Sequence, residues 1–244
     1  MKKENYDQMN RFEHQYWWHV GRRFIFTRLI RRYAACFKND LSIVDVGCGT
    51  GGNFEFLENF GRVLGADNST FAVEYCRKKG KTVKLVSKDV LPFPDGSCDL
   101  VTVFDVLEHI ENDGRMIEEC RRILKKGGKI VAAVPAYMSI WSSHDEILGH
   151  RRRYSKKELL GKVEERGFRT IKITHCITFM FPIIFVFRLI SKKFSKSSRT
   201  NSAYFMLPGI INSLLAAILR VESCLIDKIE MPFGCSVVIV AEKI

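Results

Sequence analysis

The sequence predicts an α/β fold, a mostly parallel sheet wrapped by helices. Three observations carry this. Short, β-branched apolar runs recur along the first 135 residues, and amphipathic segments with helical spacing alternate with them. The runs are too apolar to face water on either side, as strands covered by helices on both faces must be. A glycine-rich turn, GCGTGG, follows the first run directly and opens a helix.

In chain order, residues 5–20 are aromatic-rich and read as helix, with Gly21 expected to interrupt it. Residues 22–37 carry Phe24, Ile25, Leu29, Ile30 and Tyr33 at helical spacing. Residues 41–46 are a buried strand, 53–59 a helix and 62–66 a second strand ending at Asp67. A helix over 69–79 has Ser69 or Thr70 as N-cap. Strands follow at 82–86 and 99–104. Residues 113–125 form an amphipathic helix, with Gly127 and Gly128 expected to close it. Residues 130–134 are a fifth strand, stopped by Pro135. Ser155 and Glu158 form a capping box for a helix over 155–167. A strand at 168–173 precedes a largely apolar insertion, 176–226, and CSVVIVAE (235–242) is the final strand.

The 244 residues suit one large domain. The expected organisation is an N-terminal helical lid over 1–38, a core over 39–175, an apolar helical insertion over 176–228 and a last strand over 229–244. A hydrophobic share of 46% with 27% charged residues excludes a disordered, collagen-like or multi-span membrane chain. Eight cysteines without a CxxC pair suggest neither a zinc knuckle nor a disulfide framework. MKKENYDQMN has no apolar run of the kind a secretory signal needs, so reduced thiols and a cytoplasmic location are expected. The net charge is +12. Nearly all of it lies in residues 151–200, with 14 basic and 3 acidic residues, while residues 43–150 are slightly acidic. Such a block is an electrostatic footprint for phosphate or anionic lipid, or a solvated face.

The most informative stretch is IVDVGCGTGGN, residues 43–53. Its glycines allow a sharp turn and close approach of backbone to a ligand, with helix N-terminal amides free to meet an anionic group. Gly47, Gly49 and Gly52 also satisfy G-x-G-x-x-G, which leaves a nicotinamide oxidoreductase open. Asp45 weighs against that reading, because an acid beside the loop suits a positively charged ligand and repels a pyrophosphate. Asp67 is placed to take both hydroxyls of a ribose. Asp89 can accept from an adenine amino group, with Val90 beside the ring.

These blocks (IVDVGCGTGG, GADNS, KDVLPFPDGSCDLVTVFDVLEHI and LKKGGKIVAAVP) resemble a class I S-adenosylmethionine-dependent methyltransferase. The resemblance implies a Rossmann-like seven-stranded methyltransferase sheet with only the last strand antiparallel. It implies S-adenosylmethionine as cofactor. Asp45, Gly47, Gly49 and Gly51 would lie near its methionine end, Asp67 and Asn68 at the ribose, and Asp89 and Val90 at the adenine. Phe104 to Leu107 would line the methyl end. The flanks, HQYWWHVGRRFI, AYMSIWSSHDEILGHRRRYSKKEL and PFGCSVVIVAEK, resemble bacterial and archaeal methyltransferases linked to surface polysaccharide or lipid-linked glycan biosynthesis. More distantly they resemble the O-methyltransferases of quinone biosynthesis.

Methyl transfer is an in-line displacement at a sulfonium carbon, so the protein mainly aligns the acceptor and excludes water. A hydroxyl acceptor also needs a base, and His is the usual choice. His144 is the first candidate, His150 the next and His109 the third. Trp17, Trp18 and Arg22 are expected to form a lid over cofactor and acceptor. Arg153, in the run 151–153, and Tyr154 are candidates for an acceptor phosphate. His144, Asp145, Glu146 and His150 match no standard metal spacing, and no metal is expected.

CITFMFPIIFVFRLI is too short to span a bilayer, and residues 200–219 carry too many polar breaks. With SKKFSKSSR between them, they suit contact with the inner, anionic face of a membrane and a small or lipid-borne acceptor. The alternative function is an RNA methyltransferase, motivated by the basic block, although the chain shows no recognised RNA-binding module.

Overall fold

The computed structural model describes residues 3–35, 40–87, 89–194 and 207–244. The segment SKSSRT of the basic turn, residues 195–200, and residues 36–37 of the second expected helix lie outside them.

Seven strands form one sheet: β1 (Leu41–Val46), β2 (Gly61–Asp67), β3 (Val83–Leu85), β4 (Cys98–Phe104), β5 (Leu124–Pro135), β6 (Phe168–Cys176) and β7 (Ser236–Lys243), in spatial order β3-β2-β1-β4-β5-β7-β6. β1 pairs parallel with β2 and β4, and β4 pairs parallel with β5. β7 runs antiparallel between β5 and β6. The strand order reverses at β1, so the carboxyl ends of β1, β2 and β4 open onto the crevice where such sheets bind ligands.

The helices are α1 (Lys3–Phe12), α2 (Trp17–Leu29), α3 (Phe54–Leu57), α4 (Thr70–Lys78), α5 (Asp113–Ile123), α6 (Ser143–Leu148), α7 (Lys156–Glu164), α8 (Phe181–Phe194) and α9 (Gly209–Ile226). Two cores result, one on each face of the sheet. Ile25, Leu29, Ile43, Phe54, Leu100 and Leu219 pack on one side. Val44, Val101, Ile117, Ile123, Tyr154 and Leu159 pack on the other. Ser69 caps α4 by accepting from the Ala72 N–H, and Ser155 and Glu158 close the expected capping box on α7.

Two expectations are corrected. The N-terminal helix breaks at residues 13–16, not at Gly21, which lies inside α2. Gly21 is there because α9 crosses so closely that any side chain would overlap Leu219. Gly127 and Gly128 do not close α5; the helix ends at Ile123 and the chain enters β5 at once, pairing Leu124 with Cys98.

The insertion contributes α8 and α9. α9 lies along the outside of the fold and braces it through one face. Its Asn212 accepts from the Trp17 N–H at 2.8 Å and donates to the Gln15 carbonyl at 2.5 Å, which holds the joint between α1 and α2. Glu222, wholly buried, accepts from the Ile177 and Phe179 N–H groups and so pins the exit from β6. Among the described residues α9 is the one helix long and apolar enough to cross a membrane by length and composition. Its outer side and that of α8 expose Ile183, Phe187, Ile210 and Leu214.

Candidate active site

The crevice is built first by β1 and its glycine loop. Gly47, Gly49 and Gly51 all have positive φ (68°, 54° and 85°), a region costly for residues with a Cβ. Asp45 is opposite Thr102 of β4, and the Thr102 hydroxyl donates to its Oδ1 at 2.6 Å. Its Oδ2 is buried with no hydrogen-bond partner. Burial pushes this carboxyl up to about 7, against the Thr102 hydrogen bond. Asp67, at the end of β2, accepts from the Gly49 N–H and the Ser69 N–H, both at 2.9 Å. Burial raises its carboxyl above the ordinary range, against those backbone donors.

The N-terminal helices close over this loop. Glu13 is almost fully buried; it accepts from the Thr50 hydroxyl and from Lys79 Nζ, both at 2.5 Å. Lys79 also donates to the Thr50 carbonyl, and Arg23 donates to the Glu13 and Gly52 carbonyls. Met9 lies over Gly49. These helices are thus latched to the loop by buried charge at Glu13, whereas the sequence offered Trp17, Trp18 and Arg22 as the covering residues.

The far side of the crevice begins at the end of β4. Asp105, with φ of 56°, is held by a two-point ion pair with the buried Arg22. Against the desolvation of its site, Arg22 holds the Asp105 carboxyl below the ordinary range. The next turn, Leu107–His109, meets the loop after α6. Arg151 N–H donates to the Glu108 carbonyl at 2.8 Å, and the His109 Nδ1 to Gly149 O distance is 3.2 Å. Gly149 ends α6 in the left-handed region, so the chain folds back and His150 Nδ1 lies 2.8 Å from Oδ1 of Asp145. The His109 and His150 rings meet edge to face, 4.9 Å between centroids. Glu108 lies beneath them, with no exposed surface and no hydrogen-bond partner for either carboxylate oxygen. Burial, reinforced by Asp105, pushes this carboxyl well above the ordinary range.

The expected site residues separate into groups. Asp45, Gly47, Gly49, Gly51 and Asp67 come together. Asn68, Asp89 and Val90 are exposed along the adjoining rim. Phe104 and Leu107 turn their side chains into opposite cores, Phe104 stacking on Phe26, and leave Asp105 between them at the crevice. His109 and His150 are brought together, whereas His144 lies on α6, its imidazole pushed down to about 4 by burial and by Arg188. Trp18 packs beside Arg22. Arg153 is committed to Asp145, at 2.6 and 2.7 Å, and to the Ala136 carbonyl. Tyr154 is buried and donates to Asp113 at 2.7 Å. Arg22, Arg153 and Tyr154 therefore shape the site through other protein groups. Glu108, a functional candidate that sequence reasoning missed, has no signal beyond its place beside His109.

Sheet order, the glycine loop at the switch point and the acids at the ends of β1 and β2 define the S-adenosylmethionine-binding fold of class I. The residues fit that cofactor: Asp45 has an unpartnered oxygen for an ammonium group, and the loop has the backbone that close approach requires. A family model described as a methyltransferase domain matches residues 44–132. An uncharacterised protein of Methanocaldococcus jannaschii is 32% identical over 55% of this chain and 67% of its own length. A protein of Mycolicibacterium smegmatis described as a probable S-adenosylmethionine-dependent methyltransferase is 29% identical over 64% of this chain and 60% of its length. A ubiquinone biosynthesis O-methyltransferase of Methylococcus capsulatus is 37% identical over 36% of this chain and 40% of its length. The solved structure of an S-adenosylmethionine-dependent methyltransferase from Thermotoga maritima shares the fold, with TM-score 0.61, 18% identity and 98% of both chains covered. The chain belongs to the S-adenosylmethionine-dependent methyltransferases.

Proposed function

We propose that the chain methylates a hydroxyl oxygen of a small-molecule, glycan or lipid-linked acceptor, in the manner of enzymes of surface-polysaccharide or lipid-linked glycan assembly. The observation that carries this is the carboxylate–histidine cluster at the end of β4, where Asp145 orients His150 beside His109 and Glu108. Amine methylation has less need of such a group; a hydroxyl must lose its proton as the new bond forms.

Bound S-adenosylmethionine supplies an electrophilic methyl group on a sulfonium. Asp45 holds its ammonium group, Asp67 its ribose hydroxyls, and the latched lid excludes water from the crevice. The acceptor hydroxyl loses its proton at the Glu108–His109–His150 cluster, and the pair Arg22–Asp105 walls the crevice beside it. The exposed apolar residues of α8 and α9 support contact with an anionic membrane surface carrying the acceptor. An RNA acceptor is less well supported. Arg152, Arg153, Lys156, Lys162, Arg166, Arg169 and Arg188 of the basic stretch are all spent on carboxylates within the protein. An oxidoreductase reading fails on Asp45, whose free carboxylate oxygen would face a pyrophosphate.

The test is single-turnover methyl transfer by His150→Ala and His144→Ala variants, with S-adenosylmethionine binding measured in parallel. His150→Ala is expected to lose about 10²–10⁴-fold in rate with cofactor affinity intact, and His144→Ala much less. Full turnover by His150→Ala would refute the assignment. Retention on anionic, but not neutral, vesicles checks the membrane surface, and failure to bind either removes that part of the reading.

A further inference from the structure

The Glu108–His109–His150 cluster has a second property that methyl transfer by itself does not call for. One ligand-competent atom from each of the three side chains lies within 4.8 Å of the other two. Glu108 is fully buried, and neither carboxylate oxygen accepts a hydrogen bond. Its closest cationic candidate is His150, whose Nε2 is 4.0 Å from Oε1. A buried carboxylate without donors is costly unless a cation or a proton meets it.

The two imidazoles are set up in the same way. His109 Nδ1 lies 3.2 Å from the Gly149 carbonyl, which can only accept, so that nitrogen carries the proton. His150 Nδ1 lies 2.8 Å from Asp145 Oδ1. Asp145 is in turn fixed by Arg153, which contacts the same oxygen at 2.6 and 2.7 Å. In the neutral tautomer these contacts select, Nε2 of each ring offers a lone pair. A carbonyl or carboxylate behind the far ring nitrogen is the arrangement that orients metal-binding histidines.

We propose that Glu108, His109 and His150 form a binding site for a divalent transition-metal ion of the zinc type, with positions left open toward the crevice. Two imidazoles and one carboxylate are the donor set of catalytic zinc and related divalent sites. Ligand bonds of about 2.0–2.1 Å place donors roughly 3.3 Å apart in a tetrahedron, so the three atoms close in by small side-chain rotations. The sequence led to no expectation of a metal. It weighed His144, Asp145, Glu146 and His150 along the chain, whereas the cluster joins His150 to the turn after β4.

The role of this ion rests on the proposed hydroxyl acceptor; its binding does not. With the ion bound, the imidazole lone pairs are taken up as ligands, so coordination acidifies the acceptor oxygen and its proton passes to solvent water in place of His150. That oxygen then forms the bond to the methyl carbon as the carbon–sulfur bond breaks, its electron pair staying on sulfur. The other charged groups facing the cluster are Asp105, countered by Arg22, and Asp145, countered by Arg153 and Arg188.

The experiment uses the full chain, stripped with EDTA and titrated with Co²⁺ and then Zn²⁺, followed by the visible Co²⁺ spectrum and by calorimetry. One equivalent is expected to bind, with the absorption of a low-coordinate nitrogen–oxygen site, and Zn²⁺ should displace it. Glu108→Gln and His109→Ala should each abolish that spectrum, and Asp145→Asn should weaken binding about 10–100-fold. Glu111→Gln, on the exposed turn nearby, should bind as the parent does. Absence of stoichiometric binding by a stably folded parent chain overturns the proposal, as does an unchanged spectrum in Glu108→Gln and His109→Ala together. If the stripped chain methylates hydroxyl acceptors at full rate, the ion's catalytic role fails and O-methylation stands. If the metal binds but only amine or carbon acceptors are methylated, O-methylation fails and the metal site stands.

Discussion

Replacing Asp45 by Asn tests the cofactor end through a linkage between folding, pH and binding. The Asp45 carboxyl is pushed up from an ordinary 3.8 to about 7 by burial. A raised carboxylate pKa means that the folded protein keeps a proton the unfolded chain gives up. The parent protein therefore loses stability as pH rises from about 4 to about 7, and carries the whole penalty above that. From the two pKa values, the penalty is about 1.7 kcal/mol at pH 5 and about 4 kcal/mol at pH 8. Asn keeps the hydrogen bond with Thr102 but has no proton to lose. The stability of Asp45→Asn relative to the parent should thus improve by about 2.5 kcal/mol between pH 5 and pH 8. Urea unfolding at several pH values, without cofactor, reads this directly. Cofactor binding should move the other way. The ammonium group needs Asp45 ionised, so parent affinity should rise as pH approaches 7 and fall once the amino group deprotonates, near pH 7.7–8.0 on the ordinary scale. In Asp45→Asn, affinity should drop by about 1.5–3 kcal/mol and lose its rise toward pH 7. Parallel stability curves for the two proteins, or full affinity in the variant, would refute the reasoning.

Other outcomes follow from the lid and its supports. Glu13→Gln removes the buried charge that joins Lys79 and Thr50, at a cost of about 1.5–3 kcal/mol, and hydrogen exchange should accelerate selectively in α1. Gly21→Val forces α2 away from Leu219 of α9; overpacking of this kind costs about 1–3 kcal/mol, read as a lowered melting temperature. Arg22→Lys keeps the charge but not the two-point contact with Asp105, with a loss of about 1.5–3 kcal/mol; methyl transfer should fall more than cofactor affinity.

Much of the core was legible because its signals are local. Leu41–Val46 is apolar on both faces, the glycine loop sits where a strand becomes a helix, and Ser155 with Glu158 states its own cap. What escaped depends on packing across long sequence separations. Gly21 reads as a helix breaker until α9, two hundred residues on, is known to need its surface. Gly127 and Gly128 read as a cap, yet Leu124 is already paired with Cys98. The candidate site divides the same way. Asp45 and Asp67 follow from their strands, while the cluster at the end of β4 exists only because Gly149 turns the chain back, bringing His150 onto Asp145 and over Glu108. His144 ranked ahead of His150 in sequence; α6 separates the two. Arg153 and Tyr154, attractive as exposed anion binders, turn out to be buried because Asp145 and Asp113 need them.

The central claim is methyl transfer from S-adenosylmethionine to a hydroxyl oxygen in this crevice. Its most direct test is to incubate the chain with S-adenosylmethionine carrying a ¹³C-methyl group and with lipid, glycan and small-molecule fractions, then assign the labelled product by NMR. The expected product is a ¹³C-methyl ether, formed much more slowly when Asp45→Asn or His150→Ala replaces the parent. A label found on nitrogen or carbon, or an ether formed equally well by His150→Ala, would contradict it.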